Sequence, residues 1–137
     1  MDGNNAARIF NITNNNLNVI LKDLIFINGK NTNGGAIFGN SIAFNCTFIN
    51  NNASAYGGAI YRGSAINCTF LNNTAKEGAA IYVNTKNITI ADCTFENNVA
   101  REYGGAVSVD STSNTIIANC TFNRNSAKTG GAVNVGY

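Results

Sequence analysis

Few residues in this chain could do chemistry, so their spacing is what matters. There is no histidine, which removes the commonest general base and most nucleophile–base triads. Beyond Asp2 the acids are Asp23, Glu77, Asp92, Glu96, Glu102 and Asp110. Glu77 and Glu102 each precede a glycine pair or its equivalent, beside Lys76 and Arg101, and are assigned to one repeat position. Paired carboxylates beside cations could hold calcium or abstract a proton. On a regular surface they read first as a charge-paired, solvated corner, so no catalytic residue is assigned.

The four cysteines, Cys46, Cys68, Cys93 and Cys120, contain no Cys-x-x-Cys, and without histidine they do not make a zinc site. Each opens a Cys-Thr-Phe triplet. They are expected to point inward as a reduced stack of small buried thiols, although neighbouring coils would bring their Cα atoms within bridging range. No metal and no cofactor is expected. Gly29-Lys30 lacks the rest of a phosphate loop, and the Gly-Gly pairs lack the aspartate of calcium-binding nonapeptides.

Two outward ranks could contact a ligand. Phe38, Tyr61 and Tyr82 share a repeat position occupied later by Ser108 and Asn134. Three exposed rings one rung apart would form a platform for sugar or protein, or simply brace adjacent strands. Asn45/Thr47, Asn67/Thr69, Asp92/Thr94 and Asn119/Thr121 form a grid of amides and hydroxyls. Ice-binding solenoids usually carry two threonine ranks; with one rank Asn or Asp, this grid reads as a solvated sheet face. Asn-x-Ser/Thr sequons begin at Asn11, Asn45, Asn52, Asn67, Asn72, Asn87 and Asn119 and are candidate glycan acceptors. Asn52, Asn72 and Asn87, near turns, are expected to be the better ones; Asn45, Asn67 and Asn119 are placed within a stacked strand.

These positions follow from a repeat. Cys-Thr-Phe begins at 46, 68, 93 and 120, with steps of 22, 25 and 27 residues. Then comes Phe-x-x-Asn-x-Ala, at Phe48/Asn51/Ala53, Phe70/Asn73/Ala75, Phe95/Asn98/Ala100 and Phe122/Asn125/Ala127. A glycine mark closes each unit: Gly34-Gly35-Ala36-Ile37, Gly57-Gly58-Ala59-Ile60, Gly78-Ala79-Ala80-Ile81, Gly104-Gly105-Ala106-Val107 and Gly130-Gly131-Ala132-Val133. A degenerate first copy starts at Leu24, with Gly29 where later copies have asparagine. A period in the twenties signals a solenoid.

The apolar runs are short and alternating, and Asn, Gly and Thr interrupt them, which favours strands and turns over helix. In Ile66-Asn67-Cys68-Thr69-Phe70 a period of two would turn Ile66, Cys68 and Phe70 inward. In Gly105-Ala106-Val107-Ser108-Val109 it would turn Ser108 outward. The expected fold is all-β: a single-stranded parallel β-helix of roughly five to six coils, with strands about 4.8 Å apart. Phe26, Phe48, Phe70, Phe95 and Phe122 should stack inside, and Asn51, Asn73, Asn98 and Asn125 at a corner. The glycine pairs should mark a corner needing positive φ or close backbone approach.

The chain is read as one domain over 1–137, with an N-terminal coil over 1–23 and motif-bearing coils over 24–137. In the first coil, Arg8–Ile12 and Leu17–Leu21 should be strands around a turn at Asn14–Asn16. Longer stretches at Asn84–Asn87 and Asp110–Asn114 should be loops on one edge. Charged residues make up 12% of the chain and the net charge is +2, too little to suggest nucleic acid. No apolar run approaches the 18 residues of a membrane span, and no signal-peptide pattern opens the sequence. The last residues, Val133 to Tyr137, stop within a coil without a polar cap. The expectation is a segment of a longer protein, with neighbouring coils of its parent or self-association through open ends.

The paired marks, Gly-Gly-Ala-[Ile/Val] and Phe-x-x-Asn, resemble the repeats of the chlamydial polymorphic membrane proteins and of the Asn-rich adhesin-like surface proteins of methanogenic archaea. The resemblance covers about residues 24 to 135. It implies a right-handed parallel β-helix displayed at the cell surface or secreted, and a role in adhesion to host cells, glycans or proteins. It carries over only the motif positions Phe48, Asn51, Phe70, Asn73, Phe95, Asn98, Phe122 and Asn125 with the glycine corners. The function expected is a non-catalytic stalk or display module. The alternative is a fragment of a carbohydrate-active β-helix enzyme, a polysaccharide lyase or hydrolase, whose catalytic coils lie elsewhere.

Overall fold

A computed structural model describes residues 1–14 and 19–136. The expected strand over Leu17–Leu21 lies partly outside this range, as do Asn15 and Asn16 of the expected turn. The described part is all-β, with eighteen strands and every strand pairing parallel. An N-terminal coil holds β1 (Phe10–Asn11) and β2 (Val19–Lys22). The first motif coil holds β3 (Ile25–Ile27), β4 (Lys30–Asn33) and β5 (Ile37–Phe44). The second holds β6 (Thr47–Ile49), β7 (Asn52–Tyr56) and β8 (Ile60–Ile66). The third holds β9 (Thr69–Leu71), β10 (Thr74–Glu77), β11 (Ile81–Val83) and β12 (Ile88–Ala91). The fourth holds β13 (Thr94–Glu96), β14 (Val99–Tyr103), β15 (Val107–Val109) and β16 (Thr115–Ala118). The fifth holds β17 (Thr121–Asn123) and β18 (Val133–Val135).

Equivalent strands of successive coils pair side by side. One sheet runs β3-β6-β9-β13-β17, a second β4-β7-β10-β14, and the third contains β1-β5-β8-β11-β15-β18 with β2, β12 and β16. The chain is thus a β-solenoid of about five turns. The steps of 22, 25 and 27 residues have a simple origin. In coils one and two a single strand, β5 or β8, runs the length of the third sheet. In coils three and four a loop splits it, at 84–87 and at 110–114. Those loops follow equivalent strands, β11 and β15, and are joined to each other's coils: Ile88 N–H donates to Asn114 O at 3.2 Å and Asp110 N–H to Val83 O at 2.8 Å.

The core is layered by residue type. Phe26, Phe48, Phe70 and Phe95 are fully buried. Neighbouring rings from Phe26 to Phe122 stand 4.8 to 4.9 Å apart, with planes 4 to 6° from parallel. That spacing is the strand repeat itself, so the inner rings Phe48, Phe70 and Phe95 bury both faces against their equivalents. Phe10 of the N-terminal coil ends the column with an edge contact at 5.9 Å and 79° to Phe26.

Strand alternation fails at the turns, and the one before the triplet shows the local reason. The residue before each triplet cysteine, Asp23 in the first copy's case, has positive φ: Asp23 (56°), Asn45 (52°), Asn67 (52°), Asp92 (54°) and Asn119 (51°). Asn and Asp tolerate this conformation better than other side-chain-bearing residues. The turn takes one residue out of the two-fold pattern. Ala65 is therefore buried alongside Cys68, while Ile66, expected inside, is only half-buried. The same turn corrects the sequon placement: Asn45, Asn67 and Asn119 are exposed turn residues rather than strand residues.

Candidate functional site

Four side-chain ladders and one corner are the places where function could reside. The asparagine ladder is sealed. Asn51, Asn73 and Asn98 are wholly buried, and each amide serves two coils. Asn73 Nδ2 donates to Phe48 O and to Asn98 Oδ1, both at 3.0 Å, and its backbone N–H donates to Asn98 Oδ1 at 3.0 Å. In turn Asn73 Oδ1 accepts from the N–H and the Nδ2 of Asn51, each at 3.0 Å. The pattern repeats to Asn125. It begins at Gly29, whose N–H donates to Asn51 Oδ1 at 2.9 Å. Glycine stands there because a Cβ would lie 2.3 Å from Gly35 O. These asparagines are closed off inside the stack, with their amides bonded to backbone and to one another.

The cysteine ladder is also inward. All four thiols are free; Cys46, Cys68 and Cys93 are buried and Cys120 half-buried. Each Sγ–H points at two carbonyls, as in Cys68 to Ala43 O at 3.4 Å and Ile66 O at 3.3 Å. Burial pushes the Cys46 thiol above its ordinary pKa. A hydrogen bond with Cys68, then burial, raises Cys93. Among the described residues no group of three or more His, Cys, Asp or Glu side chains is arranged for a metal ion.

The glycine corner behaves as expected in both of its glycines. The first has positive φ, 61° at Gly34 and 63° at Gly57. The second lies against the next coil, where a Cβ on Gly58 would sit 2.1 Å from Ala79 O. Yet this corner overturns two expectations. Phe38, Tyr61 and Tyr82 do align, with centroids 5.0 and 5.7 Å apart and planes 13° and 2° from parallel. They are not an exposed platform: Tyr61 and Tyr82 are 8% and 6% exposed, and only Phe38 is half-buried. Tyr56, outward on the second sheet, reaches across the corner to within 4.6 Å of Tyr82 and 6.4 Å of Tyr61. Arg8 covers Phe38 at 4.7 Å and Arg62 covers Tyr61 at 5.0 Å. Asn84 Nδ2 donates to the Tyr61 hydroxyl at 3.0 Å, and Arg62 Nε donates to Asn84 Oδ1 at 2.6 Å. Ser108, expected outside in the same rank, is buried too. Outward faces of two sheets thus meet at a re-entrant corner, which alternation within one strand does not encode.

The second correction concerns the carboxylates. Glu77 pairs in register with Tyr56 and Tyr103, not with Glu102. Coils two and four carry one more residue than coil three between the ladder asparagine and the first glycine, and the register shifts there. Glu77 is consequently buried, 5% exposed, between two tyrosine positions. Glu102 lies at the surface, with its carboxylate 3.2 Å from Lys76 Nζ, and that ion pair raises the lysine's pKa. Lys76 Nζ is also 3.8 Å from Glu77. The ion pairing is as expected, the shared rank is not, and Arg101 instead donates to Ser54 O at 2.5 Å.

The remaining outward surfaces are open. Asn45 Nδ2 donates to Asp23 Oδ1 at 2.6 Å, Asn67 Nδ2 to Asn45 Oδ1 at 3.2 Å and Asn119 Nδ2 to Asp92 Oδ1 at 3.2 Å, a chain of amides along the turn. Threonines 47, 69, 94 and 121 stand in register on the adjoining sheet. On the third sheet Ile20 pairs with Ile42 and Lys22 with Phe44, giving an exposed apolar stretch.

Against known proteins, residues 45–61, 67–84 and 92–110 match the model of the Chlamydia polymorphic membrane protein repeat. Each matched stretch spans one coil from the positive-φ turn through the phenylalanine and asparagine ladders to the glycine corner. No curated protein and no solved structure matches the chain.

Proposed function

Starting from the polymorphic membrane protein repeats that this chain carries, we propose that it is a rigid, non-catalytic display module of a cell-surface or secreted adhesin. The observation that carries this reading is the sealed, in-register stack. Phenylalanine, asparagine and cysteine ladders occupy the interior, so the repeat's invariant chemistry goes into stiffness. What varies from coil to coil, the loops at 84–87 and 110–114 and the outward ranks, lies at the surface. A stiff rod presents such elements at fixed intervals, which favours multivalent contact with a host cell, a glycan or a protein partner. The half-buried rings Phe38, Tyr56 and Tyr103 around the re-entrant corner are the contact positions assigned to a partner.

Beads coated with the folded protein are expected to adhere to cells or immobilised glycans more than beads coated with the heat-denatured chain. Adhesion should fall several-fold for Tyr103→Ala or Phe38→Ala. Equal adhesion by folded and denatured coats would overturn the reading. Turnover of an acidic polysaccharide by the purified chain would overturn it in favour of the enzyme alternative.

A further inference from the structure

The fold distinguishes five of the seven sequons, those at Asn45, Asn52, Asn67, Asn87 and Asn119, by what surrounds the acceptor amide. All seven acceptor asparagines, Asn11, Asn45, Asn52, Asn67, Asn72, Asn87 and Asn119, are exposed. The ladder asparagines, by contrast, are each followed two residues later by alanine, so none of them is a sequon. Of the exposed seven, Asn45, Asn67 and Asn119 stand on one turn with their amide nitrogens committed along it. Asn45 and Asn67 are neighbours on adjacent coils, roughly 4.8 Å apart, too close for two glycans. Asn52 Nδ2 is committed to Thr74 Oγ1 at 2.6 Å.

Asn87 is different. It ends the 84–87 loop, which has no counterpart in coil two because β8 runs straight through. The ladder between β8 and β12 begins at Ala65 and Ile90, so Asn87 lies outside it. Its carbonyl oxygen accepts from Asn114 at 3.4 Å, which leaves the Nδ2 side of the amide facing away from that contact. Thr89, the sequon hydroxyl, is half-buried on the same outward face. Beside Asn87 runs a groove of about 200 Å³ lined by Asn40, Ile42, Ser64, Lys86 and Ile88. Its floor combines an exposed aliphatic side chain with hydroxyl and amide groups, a surface suited to the mixed faces of a sugar ring.

We propose that Asn87 is an N-glycan acceptor and that the groove seats the first sugars of the glycan. The donor class is an oligosaccharide linked to a polyprenyl diphosphate. Asn87 Nδ2 attacks C1 of the first sugar, the C1–oxygen bond to the diphosphate breaks, and one amide proton is lost as the lipid diphosphate leaves. This site is separate from the aromatic corner, so it stands or falls independently of the adhesive contacts proposed above.

The test is export of the chain into a bacterial periplasm containing an oligosaccharyltransferase of Asn-x-Ser/Thr specificity. The soluble, folded fraction is then mapped by mass spectrometry. Asn87 is expected to be more occupied than Asn45, Asn52, Asn67 and Asn119, with occupancy lost in Asn87→Gln and in Thr89→Val. Cleavage by trypsin after Lys86 should slow about tenfold in the glycosylated form, because the sugars cover the groove. Asn87 has φ 61°, which glutamine fits less well than asparagine, so Asn87→Asp is the companion variant. Aspartate tolerates that conformation, offers no amide nitrogen, and should lose the glycan while melting within a degree or two of the parent. Unmodified Asn87 in folded protein that carries glycan at Asn45 or Asn67 overturns the assignment. Unchanged trypsin cleavage after Lys86 overturns the seating of the sugars.

Discussion

At the scale of single residues, the inward asparagines are the least replaceable polar groups. Asn73 both donates and accepts between three coils, and it has no water to fall back on. Asn73→Leu would remove the Nδ2 donor to Phe48 O and leave the buried Asn51 backbone N–H without the Oδ1 it donates to, an unsatisfied buried group costing about 1–3 kcal/mol. A loss of about 3 kcal/mol or more is expected in urea unfolding, clearly beyond what Thr69→Leu does on the exposed outward face. Phe70→Ala removes one ring from a column contacted on both faces and should cost about 3–5 kcal/mol. The thiols give a pH dependence. Burial raises the Cys46 thiol's pKa in the fold, so the unfolded chain loses this proton first; Cys68 and Cys93, hydrogen-bonded to each other, shift in opposite directions. The Cys46 contribution is complete below the ordinary thiol pKa and is lost as pH rises from there towards the folded value. Denaturant midpoints should fall above about pH 8.5, less steeply in Cys46→Ala. Alkylation of the native protein should label Cys120 fastest, since it alone is half-exposed.

At the scale of elements, the corners decide which coils can stack. Gly58 is pinned by backbone from two sides, Ala79 O and Thr74 O, at 2.1 and 2.5 Å from a would-be Cβ. Gly58→Ala must push coil three away from coil two, and a loss of several degrees in melting temperature is expected by calorimetry. The third copy carries Ala79 at the equivalent place, fully buried without disrupting the stack. The Gly105→Ala change, with a would-be Cβ 1.9 Å from Gly131 O, should therefore behave like Gly58→Ala and unlike the natural alanine. Asparagine and aspartate at the other turn do the same task by tolerating positive φ, and their side chains link coils along the outside. Asn67→Val there should destabilise more than Asn67→Gly, because a β-branched residue is the worst fit to φ near 52°.

At the scale of the whole molecule, stability comes from repeating one set of contacts, so damage should spread to neighbouring coils more than across the rod. Hydrogen exchange in a Phe70→Ala variant is expected to rise most in coils two to four. Uniform acceleration from the N-terminal coil to the last would contradict that picture. The repeat itself was readable from spacing alone, because identical contacts require identical residues at equivalent positions. Cys-Thr-Phe, Phe-x-x-Asn and the glycine marks therefore gave the number of coils, the buried ladders and the loop edges. Amino-acid order within a strand also separates inside from outside. It does not say what faces the outside. Tyr61, Tyr82 and Ser108 are covered only because two sheets meet at a re-entrant angle. Glu77 departs from Glu102 only because coil three is a residue shorter than coil four at that corner. Both depend on distances between residues far apart in sequence, and those exist only once the coils have closed on one another.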